Sequence, residues 1–500
     1  MLAHHPATTF GIVRGISYGL FGEPDDWVAQ ARELGATLIR VYLYWSQVEP
    51  RPGEYDWNVV DRLIAQLEPD DRVWVTVCSS SPWGTRVPTD FQPPSPALDD
   101  DAYERFVSTL VRRFGGRVRY WQCNNEQSNG DLLWSGGAAE YAHQLAGFAR
   151  AVRSADPSAS IVLGGCGYDA LSSPDGSEAR GFYEAIASTS GADFDLFSLN
   201  LYGDPYRIPE HIAWARQIMQ AYGYEHPIVV GEYNGPTLFE FGDASASLEA
   251  TMLAAFMNMG DGSPMFLTTA AMSTEALAEQ SVTETPDRRA LRQLYRMEDR
   301  LPPSLRMFMR DAPDYLVAKR HRIACRQLVQ RVALIRAEGV DTLACWNLAP
   351  EVGDYSDPLN IMDLMFGTLP LMDYRDGRIA APHPEAETHR LVATRLTDAR
   401  SVEHVGSDAR ALVFRVDHGR DRESILAWLK TEDPMQEDRE SKRVTIPWCK
   451  GHPKAVDAFD EVREIVWNEA EQTVSIELTA TPVFIAPSVG GGRHVADIGH

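Results

Sequence analysis

Short apolar runs alternate with segments of helical period along most of the chain. Several of these runs are almost continuous in Val, Ile, Leu and aromatic residues, which is typical of strands that are covered on both faces in a parallel sheet. We predict strands at residues 15–21, 37–45, 72–78, 118–123, 160–166, 194–202, 226–233 and 341–349.

The segments between these runs carry the start and stop signals of helices. Residues 99–116 begin with three acids and end with Arg112 and Arg113 followed by two glycines. That order suits the helix dipole and a glycine stop. Eight strands alternating with helices predict a (β/α)8 TIM barrel. An open doubly wound sheet is the alternative, but no Gly-rich phosphate loop follows the first predicted strand.

Two regions depart from this alternation. Residues 262–340 form a long predicted insertion between strands seven and eight. From about residue 400 the segments become short, with period-two alternation and turn residues between them, which predicts an antiparallel β-sandwich. We therefore predict a catalytic barrel over 1–395, an accessory sandwich over 396–488 and a disordered tail over 489–500.

Composition and charge narrow the class of protein. The chain has 500 residues and a formal net charge of −24, which argues against a nucleic-acid partner because a phosphate backbone requires a basic face. No run approaches the roughly 18 continuous apolar residues of a membrane span, so we expect no membrane association. The N-terminal residues lack the basic start and apolar core of a signal peptide, and the six cysteines form no CxxC pair. We therefore predict a cytoplasmic location and no zinc site.

Two carboxylates stand out at the predicted strand ends, where (β/α)8 barrels carry their active sites. Glu126 follows strand four and Glu232 lies at the end of strand seven. No histidine occupies a predicted strand end, so we expect no metal and no other cofactor. Glycoside hydrolysis needs two carboxyl groups that flank one bond, one to protonate the leaving oxygen and the other to attack the anomeric carbon or activate water.

Further polar residues lie near these two acids along the predicted strands. Arg40, inside strand two, and Tyr202, the last residue of strand six, are candidates to keep Glu232 ionised. Asn125 precedes Glu126 and could hydrogen-bond a sugar hydroxyl. Asn200, also at the end of strand six, is a further candidate substrate contact.

Aromatic residues at the strand ends are candidate sugar platforms, because the C–H face of a pyranose packs on a flat ring. Trp83 follows strand three, and Trp346 lies near the end of strand eight. Trp45 and Trp134 can be interpreted in the same way, but we favour a packing role for both. Glu49, in a Pro-rich bend, is expected to fix its loop by accepting backbone N–H bonds.

Three stretches resemble a known group of enzymes: WSQVEPRPGEYDW at 45–57, NNEQ at 124–127 and VVGEYNG at 229–235. They are similar to clan A of the glycoside hydrolases, retaining enzymes built on (β/α)8 barrels. The resemblance extends to families 39, 30, 51, 5 and 42 without a single assignment. It implies that Glu126 is the acid/base and Glu232 the nucleophile.

The resemblance also implies roles for the neighbouring residues. By it, Asn125 contacts the 2-hydroxyl, Tyr202 hydrogen-bonds the nucleophile, Arg40 supports it, and Trp346 forms the floor under the reactive sugar. The chain departs from the family pattern at Gln127, where a proline is usual, and strand six lacks the histidine that often precedes the tyrosine. The sugar, the linkage and the choice between internal and terminal cleavage are therefore left open.

Together these observations predict a retaining glycosidase that acts on a β-linked oligosaccharide, polysaccharide or glycoside. A transglycosylase with the same residues and a carbohydrate-binding barrel without turnover are the alternatives. A barrel lyase or isomerase would need a lysine base or a metal, and neither is found at the predicted strand ends. The oligomeric state is left open.

Overall fold

A computed structural model describes residues 7–130, 132–257, 274, 286–350, 361–375, 377–406 and 408–488. Eight parallel strands close into a barrel in which neighbours in sequence are neighbours in space. These strands are β1 Thr9–Val13, β2 Leu38–Tyr44, β3 Arg72–Cys78, β4 Val118–Cys123, β5 Ser160–Cys166, β6 Leu196–Leu201, β7 Ile228–Tyr233 and β8 Thr342–Cys345.

Helices cover the outside of the barrel, so that the strands are buried on both faces, as their nearly continuous apolar sequences predict. The α-helices of the described residues are α1 Val28–Glu33, α2 Trp45–Val48, α3 Asn58–Gln66, α4 Asp100–Phe114, α5 Ala138–Ala155, α6 Tyr168–Ser172, α7 Glu178–Thr189, α8 Ile208–Ala221, α9 Gly242–Met257, α10 Pro286–Arg296, α11 Pro303–Arg306, α12 Asp314–Ala337, α13 Ile361–Phe366 and α14 Pro384–Leu396. Helix α4 has the predicted signals: Asp99 caps its first turn, and Gly115 ends it in the left-handed conformation.

The first strand differs from its prediction. We expected it at 15–21, but β1 is Thr9–Val13, which is buried throughout and pairs with β2 and β8 to close the barrel. Residues 15–21 form the loop that follows it. Gly15 and Gly19 have φ values of 117° and 66° there, which extended backbone does not adopt. The apolar content of this loop was therefore a poor guide to its conformation.

Between β7 and β8, the helix that packs on the barrel is α12. Its residues Leu328, Val332 and Ile335 belong to the apolar core that surrounds the strands. Helix α9 contributes instead to a separate apolar cluster, shared with α10 and α11. The predicted insertion lies partly outside the described residues, which resume at 286 after position 274.

Helix α12 also contacts the C-terminal region. Arg326 Nε donates to Thr481 Oγ1 at 2.8 Å, and Gln330 Nε2 donates to the carbonyl oxygen of Ala480 at 3.2 Å. The residue after Gln330, Arg331, donates from Nη2 to the carbonyl oxygen of Gly203, two residues after β6, at 2.5 Å. One helix thus joins the barrel rim to the C-terminal sheets.

The C-terminal region consists of antiparallel strands, after a short hairpin formed by β9 and β10. A six-stranded sheet has the order β11-β12-β13-β19-β15-β16, and a three-stranded sheet has the order β14-β18-β17. The strands are β9 Met372–Arg375, β10 Arg378–Pro382, β11 Ser401–His404, β12 Ala411–Gly419, β13 Arg422–Leu429, β14 Lys442–Pro447, β15 Pro453–Asp457, β16 Val462–Arg463, β17 Ile465–Asn468, β18 Thr473–Leu478 and β19 Val483–Pro487.

The inner faces of the two sheets share one apolar cluster, to which Ile425 and Ile485 contribute from one sheet and Ile446 and Ile476 from the other. The predicted fold class, a (β/α)8 barrel followed by an antiparallel β-sandwich, is confirmed. The predicted tail at 489–500 lies outside the described residues. Within the described ranges, no helix is both long and apolar enough to cross a membrane.

Candidate active site

The inside of the barrel changes from apolar to polar along the strands. Near the N-terminal end, five side chains form an apolar layer: Leu38, Trp74, Tyr120, Val162 and Val229. Successive residues of a strand point to opposite faces, so Arg40 and Tyr42 follow Leu38 on the interior face of β2. Arg40 is completely buried and lies above this layer, with its guanidinium 4.8 Å from the ring centroid of Trp74.

A β-bulge directs Glu232 into the same space. In the pairing of β6 with β7, Leu199 lies opposite Val230 and Asn200 lies opposite Glu232, so that Gly231 is an extra residue on β7. A Cβ atom at position 231 would lie 2.6 Å from Ser198 Oγ and 3.0 Å from Arg40 Nη1. Glycine therefore lets β7 approach closely enough to place Glu232 beside Arg40.

Four donors surround the carboxylate of Glu232. Arg40 Nη1 lies 3.0 Å from Oε1, and Tyr42 Oη lies 2.5 Å from the same oxygen. Tyr202 Oη donates to Oε2 at 2.8 Å, and Asn125 Nδ2 lies 3.4 Å from Oε1. The guanidinium supplies the opposite charge, so the buried carboxylate has the partners that an ionised group requires. The structure thus brings Arg40, Tyr202 and Asn125 to Glu232.

Glu126 is held in a left-handed turn at the end of β4. Asn124 and Glu126 have φ values of 53° and 51°, a region that non-glycine residues occupy only when the surroundings enforce it. Ser79 N–H donates to Asn124 Oδ1 at 2.8 Å, and Glu126 N–H donates to the carbonyl oxygen of Gly165 at 2.9 Å. The ends of β3 and β5 therefore fix the turn, and Asn200 Nδ2 orients the carboxyl group by donating to Glu126 Oε1 at 2.7 Å.

The surroundings of Glu126 favour its protonated form. Burial, together with the negative charges of Glu232 and Asp169, raises its pKa to about 8. The hydrogen bond from Asn200 and the charge of Arg40 oppose this rise without cancelling it. At neutral pH, Glu126 therefore carries a proton, as a general acid must.

Two amides connect the carboxyl groups across the barrel mouth. Asn200 donates to Glu126 and lies in register opposite Glu232 on β7. Asn125 accepts from Asn200 at 3.4 Å and places its own amide nitrogen 3.4 Å from Glu232. Residues 126 and 232, distant in sequence, thus share one network of hydrogen bonds.

Glycines on β5 and directly after it make room for this network. A Cβ atom at Gly165 would lie 2.5 Å from Asn125 Oδ1, and one at Gly167 would lie 2.6 Å from the carboxyl carbon of Glu126. Any larger residue at these two positions would displace side chains of the site. The sequence GGCG at 164–167 is a signal of this close approach.

Trp346, directly after β8, packs among the tyrosines that bind Glu232. Its ring meets that of Tyr42 edge to face, with 6.2 Å between centroids. It also belongs to the apolar cluster that contains Tyr202. Trp346 therefore flanks two of the groups that bind Glu232.

The structure does not bring Trp83 to the carboxyl groups in the same way. Its described contacts lie with the loop after β2: Nε1 donates to the carbonyl oxygen of Glu49 at 3.0 Å, and the ring meets Trp45 edge to face at 5.0 Å. Trp45 and Trp134 are fully buried in the barrel core. Glu49 accepts from Gly53 N–H at 2.7 Å, so it fixes its loop as expected.

Three residues of the site were not among the candidates. Tyr42 binds Glu232, and Gln122 accepts from Arg40 at 3.3 Å while it donates to Asn125 at 3.0 Å. Both lie at positions whose side chains point into the barrel. Because side chains alternate between the two faces of a strand, a polar residue at such a position in an apolar strand could have identified them. Asp169, after β5, acts on Glu126 from a helix, where no such period applies.

Comparisons with known proteins place this architecture among glycoside hydrolase structures. No family model matches the chain, and no curated protein matches it in sequence. A family 39 glycoside hydrolase from Bacteroides cellulosilyticus WH2 matches 98% of this chain and 82% of its own at 14% identity, with a TM-score of 0.62. A monomeric β-xylosidase from Caulobacter crescentus CB15 matches 97% of this chain and 98% of its own at 14% identity, with a TM-score of 0.57.

A third structure, AbfB, a family 51 α-L-arabinofuranosidase from Bifidobacterium longum, matches 96% of this chain and 95% of its own at 11% identity, with a TM-score of 0.55. At such identities the likeness establishes a shared fold. The resemblance to clan A that the three motifs predict is thus confirmed at the level of the fold.

Proposed function

We propose that this protein is a retaining glycoside hydrolase that cleaves a β-linked O-glycosidic bond through a glycosyl-enzyme intermediate. The observation that carries the proposal is the pairing of two unlike carboxyl groups at one barrel mouth. Glu126 holds a proton at neutral pH, whereas Glu232 has a cation and three further donors as partners. The likeness in fold to glycoside hydrolase structures supports the proposal.

In the first step, Glu232 attacks the anomeric carbon while Glu126 donates its proton to the departing oxygen. The bond from carbon to the leaving oxygen breaks, an ester forms with the Glu232 carboxylate, and the aglycone leaves as an alcohol. Tyr42 and Tyr202 hold the two oxygens of Glu232 in place for this attack. Holding a nucleophile in its reactive geometry lowers the barrier to attack.

In the second step, Glu126 acts as the base. Esterification removes the negative charge of Glu232, which is one of the causes that raise the pKa of Glu126. That pKa falls, and the ionised Glu126 takes a proton from water as the water attacks the anomeric carbon. The ester bond breaks, Glu232 returns as a carboxylate, and two inversions leave the configuration of the sugar unchanged.

The remaining residues position the sugar and the two acids. Asn125 is placed to hydrogen-bond the 2-hydroxyl, and Trp346 forms the floor under the reactive sugar. Asn200 orients Glu126, with its amide within reach of substrate, and Arg40 holds Glu232 from below. Trp83 is proposed as a sugar contact farther from the reacting bond. On this proposal, the barrel over 1–395 carries the site and the sandwich over 396–488 is accessory.

The test is Glu232→Ala, assayed with a panel of aryl β- and α-glycosides. The wild-type protein should release the phenol from at least one of them, and NMR of the first-formed sugar should show retention. The variant should be inactive, and azide should restore activity with a product of inverted configuration. Asp204→Ala, which removes an exposed carboxylate at the rim, is the matched control and should stay active. Full activity in Glu232→Ala would refute the proposal, and sugar binding without any burst of phenol would indicate a non-catalytic barrel.

A further inference from the structure

Asp169 lies next to the proposed acid/base but outside the residues that hold Glu232. It is in the first turn of α6, three residues after β5 ends. A Cβ atom at Gly167 would lie 2.8 Å from Asp169 Oδ1 and 2.8 Å from Glu126 Oε2. The missing side chain of Gly167 thus leaves the two carboxyl groups facing each other across one small gap.

One oxygen of Asp169 is anchored, and the other faces this gap. Ser128, two residues after Glu126, donates from Oγ to Asp169 Oδ2 at 2.7 Å. Oδ1 is buried, and no side chain in the described part of the chain donates a hydrogen bond to it. A carboxylate placed in this way acts on its neighbour mainly through its charge.

We propose that Asp169 is a positioning residue whose negative charge keeps the proton on Glu126 until the glycosidic oxygen accepts it. This inference rests on the proposed role of Glu126 as acid/base. Two negative charges then favour the protonated form of Glu126. The charge of Glu232 disappears when the ester forms, whereas that of Asp169 remains throughout the reaction. Asp169 thereby also keeps Glu126 basic enough to deprotonate water in the second step.

The charged and polar groups around Glu126 have opposing effects on its pKa. Glu232 from β7 and Asp169 from α6 raise it, after burial, which is the largest cause. Asn200 from β6 and Arg40 from β2 lower it. Asp169 is therefore the negative charge near Glu126 that is independent of the nucleophile.

Asp169 has one side-chain donor that favours its ionised form, because Ser128 Oγ binds Oδ2. Burial raises its pKa, while the Ser128 hydroxyl and the backbone N–H groups of Ala170 and Asp169 lower it. Burial also raises the pKa of the neighbouring Cys166 thiol and Tyr183 phenol, so both stay neutral in the working range. Arg180 of α7 donates to the carbonyl oxygens of Ala170 and Leu171 on α6, at 3.2 and 3.3 Å, and is paired with Asp175.

The first test is the pH dependence of kcat/KM in Asp169→Asn, with an aryl glycoside whose leaving group needs protonation. The alkaline limb reports the loss of the proton from free Glu126, so it should move to lower pH by about one unit when the neighbouring charge is removed. With a dinitrophenyl leaving group, which departs without protonation, kcat/KM near neutral pH should change much less. Glu178→Gln, the same change in charge at an exposed position of α7, should leave the limb in place.

The second test does not depend on turnover. The carboxyl carbons of 13C-labelled glutamates are titrated by NMR, with the Glu126 signal assigned from its absence in Glu126→Gln. Its midpoint should fall in Asp169→Asn, and by less in Ser128→Ala, which keeps the carboxylate but removes its donor. If no glycoside is turned over, the proposed function fails and the titration still decides the role of Asp169. An unchanged midpoint in both variants would overturn this inference even in an active glycosidase.

Discussion

Tyr42 and Glu232 lie on facing strands of the barrel, with 2.5 Å between the phenol oxygen and Oε1 of the carboxylate. Arg40 Nη2 lies 2.9 Å from the same phenol oxygen. Because this guanidinium nitrogen can only donate, the phenol accepts from Arg40 and directs its own hydrogen to Glu232. Burial and the charge of Glu232 both raise the pKa of Tyr42, so it remains a donor.

Tyr42→Phe should therefore lower kcat by about 10- to 100-fold, the effect of losing one buried hydrogen bond to a charged group. In the proposed mechanism the phenol stabilises Glu232 as the leaving group of the second step, so the ester should accumulate and kcat should fall more than kcat/KM. Rapid-quench measurement should show a larger burst relative to the steady rate. Tyr44→Phe, two residues along β2 in the same apolar cluster, is the control, and an equal loss there would show that the effect is general packing.

The pKa of about 8 at Glu126 predicts the alkaline side of the pH profile. The acid must be protonated to assist departure, so kcat/KM should decline as the pH rises through about 8. In Glu126→Gln this limb should be absent, because position 126 then carries no ionisable group; a dinitrophenyl glycoside, which departs without protonation, keeps the activity of the variant measurable. A limb that persists unchanged in the variant would assign the ionisation to another group.

The same shift predicts how stability depends on pH. Unfolding lets Glu126 return to its ordinary pKa of 4.5, whereas the folded protein holds the proton up to about 8. Between these values the folded state binds one more proton, so its free energy of unfolding falls as the pH rises. Glu126→Gln lacks this loss of stability. In thermal unfolding, the Tm of the variant relative to that of the wild type should therefore increase steadily from pH 5 to pH 8. A constant difference across the range would contradict the assignment.

Arg40 and Glu232 should be strongly coupled in stability, since they form a buried pair at 3.0 Å. Arg40→Met leaves a buried carboxylate without its cation and should cost about 3–5 kcal/mol of unfolding free energy. When Glu232 is already replaced by Gln, Arg40→Met should cost less unfolding free energy, although the hydrogen bonds from Arg40 to Gly231 and Gln122 are still lost. Urea unfolding of the wild type, the two single variants and the double variant gives the interaction free energy between Arg40 and Glu232, which should lie between about 0.5 and 3 kcal/mol. Additive effects would show that the pair does not interact.

Gly165→Ala tests the close approach of β5 to the amide pair. The added methyl would lie 2.5 Å from Asn125 Oδ1 and 2.8 Å from Asn200 Oδ1, so both amides must move. A displacement of about 1 Å at such residues can cost about 100-fold in rate, and kcat/KM should fall accordingly while the circular dichroism spectrum is retained. In Gly181→Ala, within helix α7, the methyl meets nothing within 4 Å, and the protein should gain about 0.5–1 kcal/mol with unchanged activity.

The sequence predicted those parts of the fold in which local pattern and tertiary environment agree. Strands β3, β4 and β5 match their predicted bounds, because apolar runs buried on both faces end abruptly in polar residues. The loop at 15–21 was misassigned because its apolar side chains pack near the barrel mouth without forming a strand. Apolar content reports burial, and burial alone does not define extended backbone.

The site was predictable where chemistry and strand position coincide. Glu126 and Glu232 were identified as carboxylates at predicted strand ends. Arg40 was identified because a charged residue is unusual inside an apolar strand. The bulge at Gly231 was not predictable, because it depends on how β7 pairs with β6. Asp169 was not predictable either, because its effect on Glu126 depends on how the turn after β4 and the start of α6 meet at Gly167.

Helix α12 gives the sandwich a mechanical connection to the chemistry. Tyr202, which holds Oε2 of Glu232, lies between Leu201 and Gly203, and Arg331 donates to the carbonyl oxygens of both. On the same helix, Arg326 and Gln330 are bound to the strand connection at Thr481 and Ala480. A truncated chain without the sandwich would keep both proposed catalytic acids, yet the arginine that binds the backbone on either side of Tyr202 would lie on a helix that has lost its outer contacts.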